Sequence, residues 1–171
     1  MDYQAKLDVP FGVLGICCTG DALTGIAFLP ASEKPQRATR AFAKTVCEQL
    51  LSYIEDPDAQ FTVPLKPGGT PHQKKVWQAM CDIPRGETRS YGELAAALQS
   101  GAQAVGQACG ANPIPIIIPC HRVVSRSGLV GGFMRHASGA SLDIKRWLLA
   151  HEQKSYAGRD NLVISSEARN L

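Results

Sequence analysis

The sequence IPIIIPCHRVV occupies residues 114–124, and it decides how the rest of the chain is interpreted. β-branched residues bounded by prolines are typical of a short buried strand, so we predict a strand over Ile114–Cys120. His121 follows directly. A cysteine becomes a nucleophile when a neighbouring imidazole or positive charge helps its thiol to lose the proton. The segment therefore makes Cys120 a candidate nucleophile and His121 its activating group.

On a strand, adjacent side chains point to opposite faces. His121 can then reach the Cys120 sulfur only if the chain turns there, or through one bridging water. An activating imidazole also needs a third group to orient it, and Glu152 is the local candidate. A Cys-His pair taken alone is more often two neighbouring core residues than a catalytic pair, so its surroundings must decide.

The composition indicates an ordinary folded protein. The 171 residues are 44% hydrophobic with a formal net charge of +3, which is compatible with nucleic-acid binding but does not establish it. The charged N-terminus is not a signal peptide and no apolar stretch is long enough to span a membrane, so we expect a cytoplasmic protein. The six cysteines have neither disulfide-framework nor metal-site spacing, so we expect no metal.

The first part of the chain predicts a small α/β unit. Phe11–Leu29 has the pattern of a β-hairpin that turns at Gly20-Asp21. A helix follows over Arg37–Ile54, and Phe61–Leu65 resembles a short edge strand. The proline- and glycine-rich stretch after it is the best linker candidate. We therefore place one domain at 1–66, a second at 67–155, and a disordered tail at 156–171.

The second part predicts helices separated by turns. Thr70 is placed to cap a helix that starts with Pro71 and runs to Met80. Capping-box spacing at Ser90 predicts a helix over Tyr91–Leu98. A third helix runs from about Gly101 to Gly110. Two short helices joined by a glycine-containing turn have the outline of a helix-turn-helix, which by itself is weak support for DNA binding.

The last of these helices is made almost entirely of small residues, and its long polar side chains are Gln103 and Gln107. Close packing against a neighbouring helix would explain this composition about as well as function does. The functional alternative is a helix whose backbone approaches the minor groove of DNA, where contacts are mainly to sugars and phosphates.

Taken together, these segments resemble the O6-alkylguanine-DNA alkyltransferases, also called methylated-DNA–protein-cysteine methyltransferases. The family's signature, an apolar run followed by Pro-Cys-His-Arg-Val, stands unbroken at residues 116–123. The resemblance covers about half of the chain, from Gly68 to Glu152. Further matching segments are GGTP at 68–71, SYGELA at 90–95, Asn112-Pro113, and KRWLLAHE at 145–152.

The resemblance implies an α/β (α+β) fold with a small ribonuclease-H-like N-terminal domain and a winged-helix-like C-terminal domain that contains the helix-turn-helix. It implies direct-reversal DNA repair by a monomer that acts on double-stranded DNA. In this reaction an alkyl group passes irreversibly from O6-alkylguanine in a flipped-out nucleotide to Cys120, once per molecule and without a cofactor.

The resemblance also implies roles for individual residues. Cys120 would accept the alkyl group, His121 would activate it through water, and Glu152 would orient the imidazole. Asn112 would hold the turn before the active-site segment, and Tyr91 would help to flip the nucleotide and would protonate the leaving guanine. The implied DNA contacts are Ser90, Tyr91, Ala102, Gln103, Ala104, Gly106 and Arg122. The implied pocket for the flipped base consists of Pro115, Val123, Val130, Gly131 and Phe133.

The chain departs from the family pattern at three places. Gln103 stands where family members usually carry an arginine that fills the space left by the flipped base, so we expect weaker base extrusion. His72 replaces a phenylalanine, and the loop between Gly132 and Asp143 is longer than usual. The main alternative is a lesion sensor that binds alkylated DNA without repairing it, although such relatives lack the acceptor cysteine. A thiol hydrolase and a simple helix-turn-helix regulator explain fewer of the residues.

Overall fold

The computed structural model describes residues 2–125 and 140–159 of the 171. The fold is mixed α/β and divides into two compact units. The first unit comprises Met1–Gly68 and the short segment Pro113–Pro115, and the second comprises Gly69–Asn112 and the residues from Ile116 onward. No helix in the described ranges has the length and apolarity needed to cross a membrane.

The first unit is built on a three-stranded antiparallel sheet of β1 (Ala5–Val9), β2 (Gly12–Thr19) and β3 (Ala22–Leu29), paired in that order. The predicted hairpin is confirmed, and the chain reverses at Gly20 with a φ of 59°. β1 was not among the predicted elements. Apolar and polar residues alternate along β1, and the strand pairs antiparallel with β2, whose inward side chains are buried.

A single helix, α1 (Ala41–Glu55), follows the sheet in this unit and begins four residues after the predicted start at Arg37. Its buried positions recur at helical spacing: Ala43, Val46, Leu50 and Tyr53. The predicted strand at Phe61–Leu65 is wrong. Only an isolated bridge joins Leu23 to Leu65, because the segment exchanges just two backbone hydrogen bonds with Leu23.

The second unit opens with α2 (Pro71–Cys81), α3 (Tyr91–Leu98) and α4 (Ala102–Gly110), close to the predicted bounds. Thr70 and Gln73 form a complete capping box at the start of α2. Nε1 of the buried Trp77 donates a 2.8 Å hydrogen bond to the carbonyl oxygen of Ala108, which fixes α2 against α4. A left-handed residue, Gln99 with φ 53°, ends α3 and starts the turn into α4.

The predicted strand at Ile114–Cys120 is also wrong, although its residues other than the half-buried Ile117 are buried as expected. Prolines at 113, 115 and 119 have no N–H to donate to a ladder, and Ile116 adopts a left-handed φ of 76°. The chain instead passes through turns into a single 3₁₀ turn, Cys120–Arg122. It then enters β5 (Val123–Val124), which pairs in parallel with β4 (Arg89–Ser90). The last described element is α5 (Ala140–Arg159).

Candidate active site

The 3₁₀ turn places three chemically active side chains in consecutive positions. Its amides are satisfied locally, with the N–H of Cys120 bonded to the carbonyl oxygen of Ile118 at 2.8 Å and that of Arg122 to Pro119 at 3.0 Å. All three side chains of the turn are buried. The turn removes the strand geometry that would have sent Cys120 and His121 to opposite faces.

The Cys120 thiol lies in a desolvated site, with the residue only 4% exposed. Burial raises its pKa to about 11, because a thiolate loses its hydration there. Three contacts oppose that rise: the side chain of Asn112, which hydrogen bonds to the thiol, the ammonium of Lys145, and a backbone hydrogen bond at Cys120 itself. Before any substrate arrives, the thiol therefore holds its proton at neutral pH.

Asn112 connects this thiol to the preceding loop. The residue follows α4 and is 1% exposed. Its Nδ2 donates a 2.8 Å hydrogen bond to the carbonyl oxygen of Ile118, two residues before Cys120. One amide side chain thus contacts the backbone of the loop and the thiol at its end.

His121 and Glu152 are both buried, and Nε2 of His121 lies 2.9 Å from Oε2 of Glu152. The distance suits a charge-assisted hydrogen bond, although the ring N–H does not align as in an ideal one. Burial lowers the pKa of His121 more than Glu152 raises it, so the imidazole is neutral. Nδ1 has no hydrogen-bond partner among the described protein groups. With the hydrogen on Nε2, Nδ1 is a bare acceptor.

Glu152 also forms an ion pair with the guanidinium of Arg122. Nε and Nη2 of Arg122 donate to the two carboxylate oxygens at 2.8 Å and 2.9 Å, and Nη1 donates to the carbonyl oxygen of Ile83 at 2.7 Å. Burial alone would raise the pKa of Glu152, but His121 and Arg122 together hold it well below its usual range. The DNA contact that the resemblance implies for Arg122 stays a prediction, and in this structure its guanidinium donates to internal partners.

Lys145 is a buried cation that sequence analysis did not single out. Its Nζ donates a 2.7 Å hydrogen bond to the carbonyl oxygen of Val123 and lies 5.9 Å from the centroid of the Tyr91 ring. Burial lowers its pKa to about 8. Lys145 precedes the buried Leu148 and Leu149 by three and four residues, so helical spacing could have placed it on the apolar face of α5.

Tyr91 is the first residue of α3 and is half-buried. Burial raises the pKa of its phenol, and the neighbouring thiols of Cys109 and Cys120 add to the rise. The phenol therefore keeps its proton at neutral pH.

The residues implied to contact DNA have different degrees of exposure. Ala102, Gln103 and Ala104 are exposed on the first turn of α4, and Gly106 is half-buried. Ser90 is 9% exposed, and its hydroxyl caps α3 by accepting from the N–H of Glu93 at 3.0 Å.

The implied pocket is only partly described. Pro115 and Val123 are buried, in the first and second unit respectively. Val130, Gly131 and Phe133 lie outside the described residues, as do most of the longer loop and the tail. All six cysteines are free thiols. Within residues 2–125 and 140–159, no cluster of three or more His, Cys, Asp or Glu could hold a metal ion.

Comparison with known proteins gives consistent matches. The family model described as "6-O-methylguanine DNA methyltransferase, DNA binding domain" matches residues 71–154. The methylated-DNA–protein-cysteine methyltransferase of Mycobacterium tuberculosis is 40% identical over 167 residues, covering 94% of this chain and 97% of that protein. The constitutive enzyme of Bacillus subtilis is 36% identical, covering 91% and 98%.

Solved structures agree with these matches. The crystal structure of the Mycobacterium tuberculosis O6-methylguanine methyltransferase has a TM-score of 0.75 at 37% identity, covering 92% of this chain and 96% of that one. A structure of the protein from the same organism in complex with DNA has a TM-score of 0.72 at 39% identity, covering 87% and 91%.

Proposed function

The chain belongs to the methylated-DNA–protein-cysteine methyltransferase family, and from this premise we propose that Cys120 is the thiol that accepts the alkyl group. The enzyme is a DNA-binding protein of direct-reversal repair. The observation that carries the assignment is a buried thiol followed directly by an imidazole whose Nε2 lies 2.9 Å from a carboxylate. This is the order of groups that nucleophilic catalysis by cysteine requires.

The thiol of Cys120 first loses its proton to Nδ1 of His121 through one water. Glu152 stabilises the imidazolium that results, because its carboxylate stays ionised. The proton transfer thus supplies the thiolate that the raised thiol pKa otherwise withholds at neutral pH.

The thiolate then attacks the alkyl carbon of an O6-alkylguanine in line. A sulfur–carbon bond forms, the carbon–O6 bond breaks, and the electron pair of that bond stays on the guanine. Tyr91 supplies the proton that the departing guanine needs, and its buried phenol still holds that proton at neutral pH. A thioether has no good leaving group, so each molecule reacts once.

We infer that α3 and α4 form the helix-turn-helix that binds double-stranded DNA, within a winged-helix-like unit. The first unit would be ribonuclease-H-like, with its three-stranded sheet and one helix. Exposed small residues at Ala102 and Ala104 let the helix backbone come close to a minor groove. The O6 atom is inaccessible within a duplex, so the damaged nucleotide has to leave the stack.

The base pocket would be lined by Pro115 and Val123 together with Val130, Gly131 and Phe133. Both described members are buried and apolar, as the lining of a base pocket should be. We propose that the protein acts as a monomer, because one chain carries the thiol, its activating groups and the helix-turn-helix.

Intact-protein and peptide mass spectrometry tests the function. The protein is mixed with excess duplex DNA that contains one O6-methylguanine. We expect a gain of one methyl group per molecule, confined to the Cys120 peptide. Cys120→Ser should gain nothing, whereas Cys81→Ser, which removes an exposed thiol, should react like the wild type. Lesion binding without any mass gain would indicate a lesion sensor and would contradict the proposal.

A further inference from the structure

Arg122 uses its charge inside the protein, directly beside the residue proposed to activate Cys120. The residue is 7% exposed. Three of its nitrogens donate hydrogen bonds of 2.7–2.9 Å, two to Glu152 and one to the carbonyl oxygen of Ile83. Three of the five N–H groups of its guanidinium thus bond within the protein, and the partners that they hold indicate its role.

Arg122 holds a carboxylate that is shared with His121. Oε2 of Glu152 lies 2.9 Å from Nη2 of Arg122 and 2.9 Å from Nε2 of His121. A bidentate guanidinium fixes the plane of a carboxylate as well as its position. The carboxylate therefore cannot rotate away from the imidazole without breaking both bonds to Arg122.

The ionisation of Glu152 decides which imidazole nitrogen carries the hydrogen. An ionised carboxylate only accepts, so it selects the tautomer with hydrogen on Nε2. A protonated carboxyl group would donate to Nε2 and move the ring hydrogen to Nδ1, which could then no longer take a proton. Burial favours the protonated acid, and the contacts with His121 and with the guanidinium of Arg122 oppose it.

We propose that Arg122 is a positioning residue for the alkyl transfer: it keeps Glu152 ionised and in plane, so that Nδ1 of His121 stays free to receive the Cys120 proton. The proton moves from sulfur to Nδ1 and gives a thiolate and an imidazolium, while Arg122 and Glu152 keep their protonation states. The charges of Arg122 and Lys145 both disfavour the imidazolium, so the proposed benefit of Arg122 comes from the position and ionisation of Glu152. The proposal rests on the function proposed for Cys120 and His121.

The test compares two substrates that differ in phosphate. Arg122→Gln is assayed for single-turnover methyl transfer from duplex DNA with one O6-methylguanine and from the free base O6-methylguanine, each over a range of salt concentrations. We expect both rates to fall by the same factor, roughly a hundredfold, because a proton-transfer step is impaired. The salt dependence of the duplex reaction should stay as in the wild type. Arg122→Lys keeps the charge and should recover part of both rates.

A loss confined to duplex DNA, with a weaker salt dependence, would overturn the proposal and make Arg122 a phosphate contact. Wild-type rates with the free base in both variants would also overturn it. The matched control is Arg146→Gln, which removes an exposed arginine of α5 and should leave both rates unchanged.

Nitrogen NMR of the histidine rings gives a readout that does not require turnover, with the His121 signals assigned by a His121→Asn variant. The wild type should show hydrogen on Nε2 of His121, and Arg122→Lys should keep that tautomer. A folded Arg122→Gln should lose it, and retention there would contradict the proposal. If Arg122→Gln does not fold, Arg122→Lys is the test variant, and free-base transfer at the wild-type rate in that variant would contradict the proposal. If the wild type transfers no methyl group, the proposed function fails, while the ring signals still report on Arg122.

Discussion

Nδ2 of Asn112 lies 2.8 Å from the carbonyl oxygen of Ile118, so one buried amide closes the loop between α4 and the active-site turn. The same side chain hydrogen bonds to the thiol of Cys120. The prolines of this loop remove backbone donors, and a side chain takes over the donor role that a strand neighbour would otherwise have. The stability of the loop and the acidity of the thiol therefore depend on the same group.

Asn112→Ala should weaken both properties. The free energy of unfolding should fall by about 0.5–1.5 kcal/mol, because the carbonyl oxygen of Ile118 loses one of its two hydrogen bonds and keeps the one from the N–H of Cys120. The thiol pKa should rise, because a hydrogen bond that lowers it is lost. Urea unfolding measures the first effect, and peptide-resolved alkylation of Cys120 at several pH values measures the second. A variant with wild-type values in both assays would show that the amide has neither role.

The Cys120 thiol should alkylate slowly at neutral pH in the folded protein. With a pKa of about 11, its rate with iodoacetamide should rise about tenfold per pH unit beyond pH 9, where an ordinary thiol has levelled off. The folded pKa is raised above the unfolded value of 9.0, so this group's contribution to stability is present below pH 9 and is lost as the pH rises towards 11. A rate that levels off below pH 8 would contradict this prediction.

Lys145→Met should make the thiol a weaker acid, because the ammonium lowers the pKa of Cys120. The variant should also change the pH dependence of stability. The pKa of Lys145 is lowered from 10.5 to about 8, so the unfolded chain binds the extra proton between these values, and this residue's contribution to stability rises with pH there. The difference in unfolding free energy between wild type and variant is measured from pH 7 to 9. It separates the contribution of Lys145 from those of the Cys109 and Cys120 thiols, which change with pH in the opposite direction. A difference independent of pH would contradict it.

Gln103→Arg should speed the repair of duplex DNA. Gln103 is exposed on α4, and a guanidinium there could stack in the space that the flipped base leaves. Gln107→Arg is the matched control, since it adds the same charge one turn along the same exposed helix and should improve DNA affinity without the same gain in rate. Transfer from the free base should stay unchanged in both variants. Equal duplex rates for wild type and Gln103→Arg would show that position 103 does not limit extrusion.

Local signals in the sequence were sufficient where one chemical rule sets the structure. The helix predicted over Tyr91–Leu98 has those bounds in the structure, because the hydroxyl of Ser90 caps it and Gln99 terminates it. The alternation of Ala5–Val9 was also visible, and β1 could have been predicted from it. The alternation does not show, however, that these residues pair with β2, because that pairing joins separate segments of the chain.

The candidate site was predictable as a set of residues but not as a geometry. The motif indicated Cys120 and His121, yet the β-branched run suggested a strand where proline and a left-handed Ile116 produce turns. Arg122 was expected only as a DNA contact, since nothing local shows that Glu152 lies against it, 30 positions along the chain. Partners this distant in sequence are decided by tertiary packing.

The chain leaves the second unit at Asn112, contributes Pro113–Pro115 to the first, and returns at Ile116. Within the first unit, the N–H of Ile26 in β3 donates to the carbonyl oxygen of Pro113 at 2.9 Å. The acceptor of this hydrogen bond therefore lies far downstream of β3 in the sequence. Cleavage after Gly68 would therefore not yield two autonomous modules. The N-terminal fragment would lack the segment that accepts this hydrogen bond, and fragment complementation, rather than independent refolding, is the behaviour that such a discontinuous folding unit should show.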